Sequence, residues 1–374
     1  MTAPTLLHVY PTFDLGGAQR RFAQLANHFG GDYRHLIVSM DGRSGTMGLL
    51  GSSVDARLID VPRRPHDALG SVKTFRSVLK SLHPALLVTS NWGSIEWAMA
   101  NLDGLVPHLH MEDGFGPDET AGQLRRRVWT RRLVLWRSTV MLPSRTLYRL
   151  ARSVWRLPEK RLRYVPNGID CARFTGAPDT SFARAAGIDD ARPVIGTVAA
   201  LRAEKNVGRL IEAFAILRRH HDAQLVIVGD GPERAGLVAL ADRLGVGGRV
   251  LFTGNCATPE KLLPTFTLFA LSSDTEQMPL SLLEAMASAR PVAATDVGDV
   301  RAMLAEENRG LVTALDAEAL AGAMKRLLDD PQAARTIGSA NRRRAEAEFD
   351  QTRMFEAYRA LYAPATGQVV ARAA

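Results

Sequence analysis

Short apolar runs rich in β-branched residues alternate with amphipathic helical stretches along most of the chain of 374 residues. This alternation is typical of α/β domains, in which each parallel strand is followed by a helix that crosses back over the sheet. The first half predicts strands at residues 5–10, 34–40, 85–90, 106–111 and 139–144, and helices at residues 18–29, 69–82, 94–100, 121–136 and 145–157. The second half predicts strands at residues 194–201, 224–228, 250–253, 268–272 and 291–295, and helices at residues 207–219, 233–244 and 279–289. We therefore expect two Rossmann-like, doubly wound parallel-sheet domains that face each other across a cleft.

The turn-rich stretch Val165–Asp170 separates the two cycles, because its proline and Asn-Gly pair interrupt secondary structure. We place the first domain at residues 1–170 and the second at residues 171–350. After residue 316 the pattern is mainly helical to about residue 362, and we expect a frayed end from residue 364.

The composition is ordinary for a globular protein, with 46% apolar and 23% charged residues, and excludes disordered and collagen-like classes. Two cysteines, Cys171 and Cys256, are too few for a disulfide framework and suit a reducing compartment. The first residues lack the basic and apolar regions of a signal peptide, and no apolar run is long enough to cross a bilayer. We expect a cytoplasmic protein that does not span a membrane.

The positive charge of the chain is concentrated in residues 123–163. This segment holds twelve arginines, one lysine and one glutamate, a net charge of +12, so the rest of the chain carries −4 of the total of +8. Such a patch suits nucleic acid, an anionic membrane surface or phosphorylated substrates. No nucleic-acid recognition motif accompanies it, and its tryptophans recur at helical spacing, which disfavours nucleic acid. We favour peripheral attachment to an anionic membrane, against the alternative of a solvated helix face with core-facing tryptophans.

The segment Asp274–Ala287 has a proline at a predicted helix start, with one glutamate before it and one inside the helix. Proline is favoured in the first turn of a helix, and the free N–H groups there form an anion site. The candidate donor-binding residues at this helix start are Gln277, Met278, Pro279, Leu280 and Ser281. Glu284 lies on a helix that is apolar on nearly every face, so we expect a buried carboxylate that binds either sugar hydroxyls or an internal cation.

Two further loops follow predicted strands, where ligands bind in open α/β sheets. Arg202 and Lys205 offer a planar fork and a point charge that suit a diphosphate, although solvated loop cations have the same appearance. Gly229 allows a close backbone approach to a ligand or belongs to an ordinary turn.

The first half offers two loops of this kind. Gly16 and Gly17 precede a helix and permit backbone contact with a ligand, but they match neither the dinucleotide fingerprint nor the P-loop. His110 and Asp113 stand at and just beyond a strand end, as acid–base or hydrogen-bonding candidates. The alternative is that His110 is a core residue and Asp113 part of a turn. The compact His-Met-Glu-Asp run has no established metal-ligand spacing.

In this order, the motifs resemble the family 4 retaining glycosyltransferases with the GT-B fold. The EX7E pair of that family is matched by Glu276 and Glu284, and its R-x-x-K pair by Arg202 and Lys205. The resemblance extends to the glycine loop at Gly16 and Gly17, the Asn-Gly-Ile-Asp run at residues 167–170 and the turn ending in Asn255.

The resemblance implies a role for each matched residue. Glu284 would bind the donor ribose and Glu276 the transferred sugar, while Arg202 and Lys205 would hold the diphosphate. The glycine loop would approach the donor phosphate or the acceptor, Asn255 would lie beside the base, and the last helix, in about residues 351–374, would pack back on the first domain.

Two positions depart from the family pattern. Gln277 replaces the common glycine after the first glutamate, and Asp113 aligns with the catalytic-loop histidine of relatives that carry Glu-His-Gly. Either His110 or Asp113 would then orient the donor sugar.

These expectations describe a hexosyltransferase-type enzyme that moves a sugar from a nucleotide-sugar donor to a lipid-linked or glycan acceptor. Retention follows from the resemblance alone, as does a place in cell-surface polysaccharide or glycolipid synthesis. We expect no cofactor and no metal, since no DxD pair stands at a strand end. The alternative is a non-catalytic homologue that binds a nucleotide sugar and scaffolds a polysaccharide assembly.

Overall fold

The computed structural model describes residues 3–64, 67–115, 119, 122–189 and 191–366. The chain divides into two compact units, which we call the first and second units. The first unit holds the described residues up to Asn167 and those from Thr352 onward, and the second holds Gly168–Gln351. The division lies close to the boundary proposed at residue 170.

The first unit contains a seven-stranded sheet in which all neighbouring strands are parallel, in the order β3-β2-β1-β4-β5-β6-β7. Its central strands are almost completely buried, as expected for a sheet covered on both faces. The strands are β1 (Thr5–Tyr10), β2 (Arg34–Ser39), β3 (Asp55–Leu58), β4 (Leu86–Ser90), β5 (His108–Met111), β6 (Thr139–Leu142) and β7 (Leu162–Tyr164).

Six α-helices of the described residues accompany this sheet. They are α1 (Gly17–Phe29), α2 (Ala68–Leu82), α3 (Ile95–Ala100), α4 (Arg125–Val134), α5 (Arg145–Ser153) and the last helix of the chain, α14 (Gln351–Thr366). Tyr358 and Tyr362 of α14 pack in one core cluster with Leu6 and Met141 of the first sheet. Helix α14 continues to Thr366, past the point where we expected fraying, and residues 367–374 lie outside the described part of the chain.

The second unit contains a six-stranded parallel sheet in the order β10-β9-β8-β11-β12-β13. Its strands are β8 (Val194–Val198), β9 (Gln224–Val228), β10 (Val250–Gly254), β11 (Leu268–Leu271), β12 (Val292–Thr295) and β13 (Val312–Thr313). Its helices are α6 (Thr180–Ala185), α7 (Val207–Leu217), α8 (Arg234–Arg243), α9 (Pro259–Leu262), α10 (Leu280–Ala287), α11 (Val300–Met303), α12 (Ala317–Asp329) and α13 (Pro331–Glu348).

The two sheets confirm the predicted fold class of two parallel α/β domains. Three strands were missed, β3, β7 and β13, and all three lie at sheet edges. Edge strands are short and partly exposed, so they lack the apolar run that marks an inner strand. The strand predicted at residues 106–111 begins at His108, after a proline that has no N–H to donate to the sheet.

Candidate functional site

A pocket of about 160 Å³ lies in the second unit at the carboxyl ends of β8 and β11. This is the edge at which open α/β sheets bind their ligands. Its lining residues are Thr197, Val198, Ala199, Ala200, Lys205, Val207, Leu271, Ser272, Ser273, Glu276, Pro279, Leu280 and Ser281. The pocket therefore unites two motifs that are far apart in the sequence.

The centre of this pocket is an ion pair between Lys205 and Glu276. The Lys205 Nζ atom donates to Glu276 Oε1 at 2.7 Å, and the Ser273 hydroxyl donates to the same oxygen at 2.8 Å. Both charged side chains are partly exposed, at 26% and 10%. Glu276 is thus oriented by two donors while it remains accessible to a ligand.

The loops that carry Lys205 and Glu276 are joined by a second set of contacts. Asp274 accepts from Arg209 at 2.6 Å and from the side chain of Asn206, and its backbone N–H donates to the Glu204 carbonyl. Gly298 lies against the backbone of the loop that carries Glu276. Its φ is +54°, and a Cβ there would collide with the Glu276 carbonyl oxygen. Sequence reasoning missed Asp274, Arg209 and Gly298, although Asp274 stands only two residues before Glu276.

Helix α10 begins at Leu280, so Pro279 is its N-cap and does not lie in the first turn as predicted. The extended backbone of Pro279 (φ −69°, ψ 125°) still directs the chain into the helix. Leu280 and Ser281 line the pocket, which places the N-terminus of α10 at its wall. N–H groups at a helix start carry partial positive charge, so this wall favours an anion.

Glu284 lies in the second turn of α10 and is half-buried, which corrects the expectation of a fully buried carboxylate. Its apolar helix neighbours Leu283 and Ala285 are fully buried. Its assignment to a donor ribose stays a prediction.

Three other predicted residues of the second unit lie in loops. Arg202 is exposed in the short turn before α7, and Asn255 is exposed just after β10. Gly229 has φ +137°, and a Cβ there would collide with the Ala199 carbonyl oxygen. Glycine at this position is therefore required by the backbone packing beside the pocket, and contact with a donor stays a prediction.

In the first unit, His110 is fully buried at the end of β5. Its Nδ1 lies 2.8 Å from the Thr89 hydroxyl and its Nε2 lies 3.5 Å from Glu112 Oε2. Both ring nitrogens thus face protein groups, which corrects the expectation that His110 presents its ring to a donor sugar. Its neighbour His108 shares the Thr89 hydroxyl, and burial together with the charge of His110 lowers the pKa of His108 to about 3.

Asp113 retains limited exposure and is held by Arg21 of α1. The guanidinium donates to both carboxylate oxygens at 2.6 and 2.8 Å and to Asn167 at 2.7 Å. Burial opposes the charge on Arg21, but Asp113 together with Tyr358 and Tyr10 outweighs burial and raises the Arg21 pKa. Arg21 therefore fixes the position of the Asp113 carboxylate, which stays partly exposed.

Glu112 forms an ion pair with Arg131 of α4. The fully buried Arg131 bonds to Glu112 at 3.1 Å and to both carboxylate oxygens of Glu119 at 3.1 and 3.0 Å. Its guanidinium also lies about 5 Å from the ring centroids of Trp92, Phe115 and Trp155. Two buried arginines, Arg21 and Arg131, therefore hold Asp113 and Glu112, and no local pattern in the sequence indicates either contact.

Gly16 is the N-cap of α1, and Gly17 is the exposed first residue of that helix. The backbone of Gly16 is extended (φ −161°), so any residue could adopt it. A Cβ at Gly16 would lie 2.6 Å from Gln19 Oε1, at the end of a flexible side chain. Backbone contact of this loop with a ligand stays a prediction.

Comparison with known proteins assigns the family. A family model described as "Glycosyltransferase Family 4" matches residues 15–173, and one described as "Glycosyl transferases group 1" matches residues 179–344. The chain belongs to the family 4 glycosyltransferases of GT-B type. Together the two matches extend over most of both units.

Named relatives of this family 4 chain are glycosyltransferases. It is 29% identical over 206 residues to N-acetyl-alpha-D-glucosaminyl L-malate synthase of Bacillus anthracis, a match that covers 55% of this chain and 54% of that one. It is 34% identical over 203 residues to GDP-mannose-dependent alpha-(1-6)-phosphatidylinositol monomannoside mannosyltransferase of Mycolicibacterium smegmatis, which covers 50% and 52%. The chain thus spans about half the length of these relatives.

Solved structures show the same GT-B fold. A glycosyltransferase from Rickettsia africae superposes with a TM-score of 0.81 at 16% identity, covering 99% of this chain and 100% of that one. Anabaena HepE in complex with UDP-glucose superposes with a TM-score of 0.80 at 19% identity, covering 96% and 99%.

Among the described residues, no helix is both long and apolar enough to span a bilayer. The same residues contain no group of three or more His, Cys, Asp or Glu arranged to hold a metal ion, and the expectation that no metal is needed stays a prediction.

Proposed function

We propose that this glycosyltransferase moves a sugar from a nucleotide-diphosphate-sugar donor to a lipid-linked or glycan acceptor, with retention of anomeric configuration. The observation that carries the proposal is the pocket of the second unit, where Lys205 and the N-terminus of α10 accompany the Glu276 carboxylate. A cation and helix N–H groups suit a diphosphate, and a carboxylate suits sugar hydroxyls. The UDP-glucose bound by HepE and the GDP-mannose in the name of the mycobacterial relative support a donor of this class.

Positive charge in the pocket would act on the leaving group. Cleavage of the bond between the sugar and the diphosphate leaves negative charge on the departing phosphate. Lys205, Arg202 and the N–H groups at the start of α10 would stabilise that charge as it develops. Because Lys205 is already held by Glu276, a diphosphate would replace Glu276 as its partner and leave the carboxylate to accept from a sugar hydroxyl.

The loop of the first unit would orient the transferred sugar. Asp113 is the better of the two candidates, because its carboxylate is partly exposed while both nitrogens of His110 face protein groups. His110 would support the loop from behind through Thr89 and Glu112. The reaction proposed here draws its positive charge from protein groups and needs neither a metal ion nor another cofactor.

We also propose the type of sugar, the fate of the product and the location of the enzyme. The transferred sugar is a hexose, and the product enters a cell-surface polysaccharide or a glycolipid. The chain works in the cytoplasm at the inner face of a membrane, which its Arg-rich segment 123–163 attracts electrostatically.

Donor binding gives the first test. Calorimetric titration of the protein with UDP-, GDP- and ADP-glucose should show saturable binding of one of them. Glu284→Ala should weaken that binding by about 1–3 kcal/mol, because donor hydroxyls lose a charged acceptor. Glu318→Ala, which removes an exposed carboxylate from α12 in the same unit, should leave it unchanged. Equal affinities of the two variants would remove Glu284 from the donor site.

Turnover separates the enzyme from the non-catalytic homologue. Release of free nucleotide diphosphate from the bound donor, with or without an acceptor, is expected of a transferase. Tight donor binding without any such release would favour a scaffold. The anomeric configuration of the product, read from its proton NMR coupling constants, tests retention, and an inverted product would contradict that part of the proposal.

A further inference from the structure

Helix α4 has a buried charge and exposed large apolar side chains, the reverse of an ordinary surface helix. Arg131 is fully buried, whereas Trp129 and Leu133 are 59% and 66% exposed. Trp136, just after the helix, is 50% exposed. Trp129 and Leu133 are four residues apart on α4 and therefore lie on one face of the helix, and Trp136 follows two residues after the helix end. A contiguous exposed apolar face marks an interaction site.

The apolar face continues into a concave surface. A pocket of about 810 Å³ lies between the end of α3 and the end of α4, and Leu133 and Trp136 form part of its wall. Met99 and Leu102 line the same pocket, and Leu102 is 53% exposed. We call the pocket together with Trp129 the α4 surface.

The α4 surface is positively charged. Arg132 and Arg137 line its pocket, and neither has a carboxylate partner among the described residues. Arg76 in the same pocket is neutralised by Asp103, with bonds at 2.6 and 2.7 Å. Arg126, exposed near the start of α4, adds positive charge to the rim. Apolar side chains bordered by unpaired arginines are complementary to a lipid interface, where phosphates lie above an apolar layer.

The α4 surface and the loop after β5 lie at opposite edges of the first sheet. Leu102 precedes β5 and Trp136 precedes β6, so the pocket lies at the amino ends of those strands. His110 and Asp113 lie at and beyond the carboxyl end of β5. A ligand on the α4 surface would leave the carboxyl ends of the sheet uncovered.

We propose that the α4 surface binds the headgroup layer of an anionic phospholipid membrane. The Arg132 and Arg137 guanidinium groups bind lipid phosphates, while Leu133 and Trp136 enter the acyl boundary and Trp129 lies at the interface. Lipid fits better than nucleic acid, because the exposed leucines offer neither stacking nor hydrogen bonds to a base. The proposal deepens the proposed function, and it rests on that function only in that a lipid-linked acceptor is what this docking would bring within reach.

Vesicle co-sedimentation with the full chain tests the α4 surface. Vesicles of phosphatidylcholine with phosphatidylglycerol should bind at least tenfold more tightly than vesicles of phosphatidylcholine alone. Added salt should weaken the binding without abolishing it, since it screens the arginines and leaves the apolar part. The fluorescence of the exposed tryptophans should shift to the blue, and lipids brominated on their acyl chains should quench it.

Two double variants separate the apolar and the charged contributions. Leu133→Ser with Trp136→Ser should lower vesicle affinity tenfold or more. Arg132→Gln with Arg137→Gln should also lower it tenfold or more, because each arginine near an anionic surface contributes about fivefold. The control Arg219→Gln with Arg343→Gln removes the same charge from exposed positions of the second unit and should change affinity less than twofold.

Several outcomes would overturn the proposal. These are no binding to anionic vesicles, equal binding to neutral ones, or α4 variants that match the control. Binding of a single-stranded oligonucleotide lost in the same variants, without vesicle binding, would make the surface a nucleic-acid interface. A dimer dispersed by Leu133→Ser with Trp136→Ser would make it a contact between two copies. Nucleotide-sugar titration of each variant keeps the two proposals apart: intact donor binding without vesicle binding overturns the α4 surface alone, and the reverse overturns the proposed function alone.

Discussion

The two units share a parallel α/β architecture but differ in how many of their charged side chains are buried. Among the described residues of the first unit, seven Asp, Glu, His or Arg side chains are buried, namely His8, Arg21, His35, His110, Glu112, Glu119 and Arg131. Among the described residues of the second unit, Asp299 is the one buried side chain of these four types. The candidate site of the second unit relies instead on Lys205 and Glu276, which are partly exposed.

This difference separates charges that support structure from charges that are ready for a ligand. A buried charge is costly unless its partners are fixed, so Arg21 and Arg131 hold the carboxylates of Asp113 and Glu112 in place. A partly exposed pair is worth little to stability and exchanges partners at low cost. The second unit therefore suits the binding of a charged donor, and the buried pairs of the first unit suit a structural role.

The largest expected effect comes from removing a structural charge. Arg131→Met should destabilise the first unit by about 3–5 kcal/mol, because Glu112 would remain buried without its cation and Glu119 would keep, among the described residues, only the Arg127 cation. All five tryptophans, at positions 92, 97, 129, 136 and 155, belong to the first unit, so tryptophan fluorescence during denaturation reports on that unit.

The neighbouring Arg132 provides the matched control. It lines the surface pocket and lies over the exposed Trp129 ring, so Arg132→Met should change stability by less than about 0.5 kcal/mol. A loss below about 1 kcal/mol in Arg131→Met, the range of surface pairs, would show that the buried cluster is not a structural element.

An effect of intermediate size is expected from acidification, again in the first unit. His8 and His35 face each other at 3.0 Å in the core, and burial lowers the pKa of both, that of His35 to about 4. Below their unfolded pKa, these histidines therefore bind protons in the unfolded chain that they do not bind in the folded chain. Stability should be complete above about pH 6.5 and should fall by about 1.4 kcal/mol per pH unit for His35 between pH 6.5 and its folded value.

Variants test the source of this pH dependence. His35→Gln keeps a polar partner for His8 but does not titrate, so its tryptophan-detected stability should depend less steeply on pH than that of the parent chain. His220→Gln, at an exposed position of the second unit, should leave the slope unchanged. Identical slopes in all three proteins would assign the acid sensitivity to other groups.

The sequence predicted what depends on local pattern. Inner strands followed from apolar runs, and the helix start near Pro279 followed from residues adjacent to it. The edge strands β3, β7 and β13 were missed because an edge strand carries less apolar sequence. The spacing of the tryptophans indicated a helix, which the structure ends at Val134, before Trp136. Which side of α4 points outward depends on Arg131, whose partners Glu112 and Glu119 lie outside the helix.

Ion pairs between residues far apart in the sequence could not be predicted from local sequence patterns. Arg21 meets Asp113 across 92 residues, and Lys205 meets Glu276 across 71. The resemblance to a family named both members of the second pair, but not their contact with each other. The full burial of His110 and the partial burial of Glu284 depend in the same way on packing between distant segments, and both differed from expectation.

The smallest effect on stability is expected at Lys205, together with a large effect on turnover. Lys205→Gln should destabilise the second unit by less than about 1 kcal/mol, because the pair with Glu276 is partly exposed and Ser273 remains as a donor. Lys325→Gln is the matched control, since Lys325 Nζ lies 2.6 Å from the Asp329 carboxylate on the exposed face of α12, against 2.7 Å for Lys205 and Glu276. Hydrogen exchange of peptides from the second unit measures both changes. If Lys205 stabilises charge on the leaving diphosphate, its loss should lower kcat about a hundredfold or more, while the control keeps full activity. A Lys205→Gln protein that turns over normally but loses several kcal/mol would make this pair structural, like those of Arg21 and Arg131, and the contrast between the two units would fail.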